Sequence, residues 1–550
     1  MKSWNFILHL AIILQWLPST TLRTSSAEEP LRNYIDAQIE TAWQREKLTP
    51  APLTTDAEFL RRIYLDLVGS IPTHEQAAKF LDESSADKRT RLIEELLADP
   101  RFARHQAEVW DLVLFGRHPP GYETDRRDGI IRWLEKQFQE NKPYDQWVRT
   151  LLKAEGNSVD DGPPMYFNQY RNQPEDASEA ISQTFLGVQL QCARCHDHPF
   201  EAWTQLDFYG MAAFLSRLQI VSAGKQESLT KYMVAEKSTG DILFTGPAKE
   251  QTAGKKGEPV KPKFLLGDPL TEPAVPADFK ERKYEDNKVP EKPLFSRKDQ
   301  LADWITSGEN RFFARAIANR LWAQYMGRGL VHPVDNMSES NKPTHPELLD
   351  RLAAELKAHQ FDLKWYVREL VSSRTYQLSS RGVADEPLPI WHEYGRVRPL
   401  AAEELMVAWR TATWYDAVEA ERKDKNSDKE RSKNRFHPIH KEYMMQFFGT
   451  PSSGTGDFQG GLHEHLFLNN GPLSQLVERQ KGSLAEWVAI SPEPVEKRIE
   501  RLYLSTLTRR PTPDEVEKIK SFAGEGDGKN VRWQDVVWAL VTCSEFRFNH

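Results

Sequence analysis

Residues 55–69 read Thr-Asp-Ala-Glu-Phe-Leu-Arg-Arg-Ile-Tyr-Leu-Asp-Leu-Val-Gly and carry the signals of a helix with defined ends. Thr55 with Glu58 three residues later forms a capping box, which satisfies backbone N–H groups in the first turn. Gly69 is the residue type that most readily adopts the left-handed conformation found at helix ends. The stretch therefore predicts a helix over 57–68.

Similar signals continue on both sides of this segment. Thr73 with Gln76 opens a second helix, and Thr204 with Asp207 can cap another that runs to about 218. Apolar residues at helical spacing predict the remaining helices. Their ranges are 87–98, 101–114, 129–140, 177–191, 298–306, 311–326, 346–359, 363–372, 401–414, 494–506 and 531–546.

Helical periodicity stops in the middle of the chain. Residues 219–293 hold two strand-like pieces, 231–236 and 241–245, followed by a Pro/Lys/Glu-rich stretch from 267 that resists packing. Since 550 residues exceed one ordinary core, we expect helical domains over 31–218 and 294–550. The predicted fold is mainly α: two helical domains with a small β-insertion and a Pro/Lys/Glu-rich linker between them.

The first 27 residues are typical of a secretory signal peptide, with Lys2, an apolar run over 4–17 and a Ser/Thr-rich stretch ending at Ala27. The apolar run is shorter than the roughly 20 residues that span a bilayer. We therefore expect an extracytoplasmic protein, periplasmic or secreted, without a permanent membrane span after signal removal.

Composition excludes some partners and scaffolds. The formal net charge is −7 and the charges are interspersed, which leaves no basic face for nucleic acid. Three cysteines in so long a chain argue against a disulfide-built scaffold. Neither a Gly-x-Ser-x-Gly elbow nor a clear catalytic triad stands out, so the sequence names no catalytic residue.

Two of the cysteines form the sequence Cys192-Ala193-Arg194-Cys195-His196. In an exported protein, Cys-x-x-Cys-His is the spacing of c-type haem attachment, with both thiols bonded to the porphyrin and the histidine bound to iron. A zinc or iron site made of Cys192, Cys195, His196 and His198 is an alternative, since thiolate and imidazole suit both metals. The third possibility is a Cys192–Cys195 disulfide with structural histidines and no cofactor.

A low-spin haem would need a sixth ligand, which spacing does not identify. The candidates by residue type are Met165, Met211, His332, His345, His463 and His465. Aromatic residues cluster after the motif, and large rings of this kind are expected mainly in the core. They are Phe200, Trp203, Phe208, Tyr209 and Phe214.

Several stretches resemble a two-domain family of unknown function found in planctomycetes, whose N-terminal domain is catalogued as cytochrome-like and whose C-terminal domain is its uncharacterised companion. The match rests on residues 59–67, 185–200 and 207–209 in the first half. In the second half it rests on residues 319–322, 327–330, 344–349, 373–377, 509–512 and 544–546. The resemblance covers most of the chain, but its cytochrome label depends on the cysteine motif itself.

The leading functional expectation is an exported c-type-haem-like redox or electron-transfer protein that works with a redox partner protein. The alternative is a non-haem scaffold or polymer-binding protein, with a zinc or disulfide at the cysteines. A hydrolase has no identifiable nucleophile or acid pair to support it. Whether the protein is an enzyme, and its oligomeric state, are not fixed by the sequence.

Overall fold

The computed structural model describes most of the chain. The described residues are 29–116, 127–159, 161–171, 173–226, 229–244, 246, 257–281, 292–381, 388–418, 467–468, 473–478, 480–524 and 531–550. The predicted signal peptide at 1–27 and two sixth-ligand candidates, His463 and His465, lie outside these residues.

Helices dominate the described part, so the prediction of a mainly α fold is confirmed. In the first half they are α1 Leu31–Glu46, α2 Asp56–Val68, α3 His74–Asp82, α4 Lys88–Ala98, α5 Pro100–Phe115, α6 Asp128–Gln139, α7 Tyr144–Leu152, α8 Met165–Asn168, α9 Pro174–Ile181 and α10 Gln205–Ala213. In the second half they are α11 Arg297–Ile305, α12 Phe313–Met326, α13 Pro346–Ala358, α14 Leu363–Ser372, α15 Ala402–Thr413, α16 Ser474–Val477, α17 Leu484–Ile490, α18 Val495–Thr506, α19 Pro513–Gly524, α20 Val531–Thr542 and α21 Ser544–Arg547.

The sheets of the described part are small and antiparallel. Their strands are β1 Gly156–Asn157, β2 Leu218–Gln226, β3 Leu229–Glu236, β4 Leu243–Phe244, β5 Glu258–Pro259, β6 Arg398–Pro399 and β7 Phe548–Asn549. The largest has the order β1-β3-β2, with Val234 paired to Gly156 on one side and Ile220 on the other. β4 pairs with β5, and β6 with β7.

Helix α2 begins and ends where its sequence signals indicate. The Thr55 hydroxyl accepts a hydrogen bond from the Glu58 backbone N–H, and Gly69 ends the helix at φ 64°. Every residue from Phe59 to Val68 is buried, including Arg61, Arg62 and Asp66. α2 is therefore a central helix with no solvent face over its last ten residues.

The buried polar groups of α2 connect distant parts of the chain. Arg61 donates to the carbonyls of Thr506 and Phe546 at 3.2 and 2.6 Å. Asp66 accepts from Tyr376 Oη at 2.8 Å and from Asn549 Nδ2 at 2.8 Å. Because buried charges are tolerated only when paired or hydrogen-bonded, these contacts fix the C-terminal segments against α2.

Two hydrophobic cores organise the described residues. The larger core draws on helices from both predicted domains, from Leu31 to Leu378, and also contains Leu504. The smaller one is built from residues 400–546 and from Leu65 and Ile71. The first predicted helical domain and the start of the second thus share one core. The division at residues 218 and 294 stays a prediction.

The predicted helix 177–191 is wrong in its end. It stops earlier, because α9 passes into a π-helical turn over Ser182–Leu186 that Gly187 closes at φ 68°. Just before α9, residues 156–168 contain β1 and the buried helix α8. Burial of the apolar run Met165-Tyr166-Phe167 stabilises this segment.

Candidate functional site

The cysteine motif forms one tight turn on the surface. Gln191–Arg194 is a 3₁₀ turn, and the carbonyl of Cys192 accepts from the backbone N–H groups of Cys195 and His196, both at 3.4 Å. Cys195 follows the turn directly as its C-terminal cap. The two cysteines are therefore joined by one hydrogen-bonded turn of backbone.

Both cysteines of the motif are exposed free thiols. Ala193 between them is fully buried and anchors the turn in the larger core. The motif thus combines a fixed backbone with two accessible sulfur atoms. Cys543, by contrast, is half-buried at the start of α21, where its Sγ lies 3.2 Å from the carbonyl oxygen of Leu540.

His196 is exposed and its ring is oriented by a single contact. Its Nδ1 lies 2.7 Å from the carbonyl oxygen of Asp197, so Nδ1 carries the proton and donates. The neutral ring then has its free lone pair on Nε2. An imidazole held by an Nδ1–H···O=C bond is the usual arrangement of a histidine that binds a metal through Nε2.

His198 is held in the opposite way. Its Nδ1 accepts from the backbone N–H groups of Phe200 at 3.3 Å and Glu201 at 3.0 Å. The proton of the neutral ring is therefore on Nε2, which leaves no free lone pair. His198 closes the loop after the motif, and its ring is already committed to that contact.

Further contacts fix the rest of the turn. Arg194 pairs with Asp176 of α9 at 2.6 Å, and this hydrogen bond raises the pKa of the guanidinium. The carbonyl of Arg194 accepts from Gln205 Nε2 and Tyr209 Oη of α10. Asp197 Oδ1 accepts from the backbone N–H of Gln205 at 2.9 Å. The motif is therefore held between α9 and α10.

A loop from the second half of the chain contacts both flanks of the motif. Before the motif, the carbonyl of Gly187 accepts from Met337 N at 2.7 Å, and Gln189 Nε2 lies 3.4 Å from Asp335 Oδ1. After it, Glu201 binds this loop at Ser340. Nothing in the sequence of the loop 335–341 indicates that it packs beside the cysteines.

We call the contact of Glu201 with this loop the clasp. The Glu201 carboxylate accepts from the backbone N–H groups of Glu339 and Ser340 at 2.9 and 3.2 Å, and from Ser340 Oγ at 2.7 Å. Burial disfavours the ionised form, but the Ser340 hydroxyl and the two amides outweigh it and lower the pKa of Glu201. The clasp therefore joins the two halves of the chain through a charged group.

The aromatic residues after the motif are mostly core residues, as expected. Phe208 and Phe214 are buried, and Trp203 and Tyr209 are partly buried against the larger core. Phe200 is the exception, because 78% of its surface is exposed. Its backbone N–H donates to His198 Nδ1 at 3.3 Å, so the residue belongs to the loop that His198 closes.

Three of the sixth-ligand candidates are buried, whereas the side chains of the motif's two cysteines and of His196 are exposed. Met165 and Met211 are buried in the larger core, and His345 is buried beside His392 with 6.1 Å between ring centres. Within the described ranges, no three His, Cys, Asp or Glu side chains converge as a metal-binding group. The same ranges contain no helix long and apolar enough to cross a bilayer.

Comparison with known proteins identifies two family models in N- to C-terminal order. Residues 34–220 match PSCyt2, described as a protein of unknown function (DUF1549). Residues 297–523 match PSD1, described as a protein of unknown function (DUF1553). No curated protein and no solved structure matches the chain. The first match contains the cysteine motif, and the second contains the loop that packs against it.

Proposed function

The chain belongs to a two-domain family of unknown function, and we propose that it is an extracytoplasmic c-type-haem redox protein. In this proposal Cys192 and Cys195 would carry the haem and His196 would bind its iron. The observation that carries it is the contact between His196 Nδ1 and the Asp197 carbonyl, which leaves Nε2 as the ligand atom.

The turn supports covalent attachment in three ways. Both thiols are exposed, so a maturation enzyme and a haem could reach them. Thioether attachment joins the sulfurs to separate points of the porphyrin edge, so the thiols need not converge on one atom. Ala193, Arg194 and the α10 contacts keep the backbone fixed while the sulfurs react.

When bound, haem iron exchanges one electron by cycling between its ferric and ferrous states. The contribution of this chain would be to hold the haem and tune the basicity of its histidine. The Asp197 carbonyl keeps the proton on Nδ1 and orients the imidazole of His196. Such second contacts on a ligand raise its basicity and fix its ring plane.

The zinc alternative is less well supported by the same contacts. A structural zinc site takes four ligands in a tetrahedron. His198, the fourth member of the candidate set, already uses Nδ1 to accept two backbone N–H groups. Its Nε2 carries the proton in that state, so binding zinc through either nitrogen would require breaking the loop contacts or deprotonating the ring.

The test is intact-mass analysis of protein produced in a host that exports it and matures cytochromes c. We expect the wild-type chain to gain the mass of one haem, and Cys192→Ala/Cys195→Ala to gain none. Cys543→Ala is the matched control and should keep the haem, since Cys543 lies at the start of α21. An unmodified wild-type mass would reject the proposal, and a loss of two hydrogens would identify the disulfide instead.

A further inference from the structure

The segment that follows the motif exposes apolar surface. Phe200 is 78% exposed and Leu206, in the first turn of α10, is 55% exposed. Burying a large apolar side chain is worth about 1.5–3 kcal/mol relative to leaving it in water. Exposed apolar side chains beside a candidate cofactor site therefore provide surface that a partner can bury.

The stretch of chain that carries these two side chains is acidic. Residues 174–209 contain six carboxylates and Arg194 as their one Lys or Arg, whereas the whole chain has a net charge of only −7. At the edges, Arg194 pairs with Asp176, and Lys263 pairs with Asp207. These two ion pairs involve Asp176 and Asp207, while Asp197 and Glu201 follow the motif directly.

Asp197 and Glu201 flank Phe200 in sequence and accept hydrogen bonds from uncharged donors. The hydrogen bond to Asp197 Oδ1 comes from a backbone N–H group, and those to Glu201 come from backbone amides and a hydroxyl. None of these donors carries a positive charge. The clasp also places Glu339 beside Glu201, with 2.9 Å between the Glu339 backbone nitrogen and Glu201 Oε2. Glu339 is exposed.

We propose that Asp197, Phe200, Glu201, Leu206 and Glu339 form an acidic docking face for a redox protein with a basic surface. This inference rests on the proposed function, since it names the partner of the same site. An apolar centre with a charged rim is a common interface design. Complementary charge raises the association rate and selects the partner.

The charge of the face also argues against other occupants. In a second copy docked face to face, the three carboxylates of one copy would lie against those of the other and repel them. An anionic lipid surface would be repelled for the same reason. A lysine-rich protein surface would pair with the carboxylates and cover the apolar side chains.

The test measures binding of a lysine-rich monohaem cytochrome c to the full chain at low and high ionic strength. We expect Phe200→Ser to weaken binding about tenfold. Glu339→Gln should weaken it about two- to fivefold at low salt, mainly by slowing association. Glu339 is chosen because its side chain takes no part in the clasp, which uses its backbone.

Matched controls separate the face from general charge and hydrophobicity. Phe522→Ser on α19 removes another exposed phenylalanine, and Glu140→Gln removes another exposed carboxylate. Both should bind as the wild type does. Equal losses in these controls, or wild-type binding by Phe200→Ser and Glu339→Gln, would overturn the docking face.

Haem content is measured on the same samples, so the two proposals can fail separately. Face-dependent binding by protein that holds no haem would reject the redox function and keep the docking face. If the protein holds haem but Phe200→Ser and Glu339→Gln bind the cytochrome as the wild type does, the redox function is kept and the docking face is rejected.

Discussion

His196 donates from Nδ1 to the carbonyl oxygen of Asp197 at 2.7 Å, while two residues later His198 accepts backbone N–H groups at its own Nδ1. The two imidazoles therefore carry their protons on opposite nitrogens. Our proposal uses this difference to give them different roles, with His196 as the haem ligand and His198 as the residue that closes the loop.

The first prediction separates the two histidines. His196→Ala should abolish the visible spectrum of the matured protein and change the free energy of unfolding of the haem-free protein by less than about 0.5 kcal/mol, because the side chain is exposed. His198→Ala should keep the spectrum and cost about 1 kcal/mol of stability, because two backbone N–H groups lose their acceptor. The reverse pattern would make His198 the ligand.

The second prediction concerns the clasp. Glu201→Ala should speed hydrogen exchange at the amides of Glu339 and Ser340, which the carboxylate binds. A double-mutant cycle between Glu201→Ala and Ser340→Ala should show a coupling energy of about 0.5–1 kcal/mol, reduced by solvent screening at this partly exposed site.

Glu339→Gln is the control for the clasp, because only the backbone of that residue takes part. It should leave both amide exchange rates at their wild-type values. Additive effects of Glu201→Ala and Ser340→Ala, together with unchanged exchange, would show that the clasp does not hold the loop in solution.

The third prediction concerns the buried guanidinium of Arg61. The variant Arg61→Ala leaves the carbonyls of Thr506 and Phe546 without their donor and opens a cavity between α2 and these segments. We expect a loss of about 2–4 kcal/mol in urea unfolding. Arg91→Ala, whose side chain is 45% exposed, should cost less than about 0.5 kcal/mol. Similar losses in both variants would contradict the central role of α2.

The fourth prediction is an acid dependence of stability from two buried histidines. Burial, with the nearby charge of Arg45, lowers the pKa of His345 to about 4, and burial with His345 and Arg328 lowers that of His392 to about 3. The unfolded chain takes up protons near pH 6.5, while the folded chain does not until lower pH. Stability should therefore fall as pH drops from about 6.5 towards 4.

His345→Gln should reduce this acid dependence by an amount on the order of 2 kcal/mol between pH 7 and pH 4. The measurement is urea unfolding at a series of pH values. His359→Gln is the control, since its imidazole is partly exposed and stacks on Trp365. An unchanged pH slope in His345→Gln would show that the imidazole is not kept neutral by burial.

Local signals in the sequence predicted helix starts well, although the helix expected to run to about residue 218 ends at Ala213. The capping boxes at Thr73–Gln76 and Thr204–Asp207 are both present, with reciprocal hydrogen bonds. Gly187 also carried a signal that could have ended the helix before the motif, since glycine adopts positive φ without strain. Its effect was missed because the apolar spacing continues past it.

Long-range contacts could not be predicted from the same signals. The partners of Arg61 lie 445 and 485 residues away, and Ser340 lies 139 residues from Glu201. Helical periodicity describes one element at a time, so it does not reveal that every residue of α2 from Phe59 to Val68 is buried. The assignment of Cys192, Cys195 and His196 as site residues stays a prediction, and only the structure distinguishes the proton positions of His196 and His198.

The most direct test of the central claim is a visible spectrum with pyridine haemochrome analysis of protein exported from a host that matures cytochromes c. We predict a Soret band and a covalent haem signal at one haem per chain, both lost in Cys192→Ala/Cys195→Ala. Fully matured protein with no haem signal would contradict the claim, and metal analysis of that sample would then decide between a zinc or iron site and a disulfide.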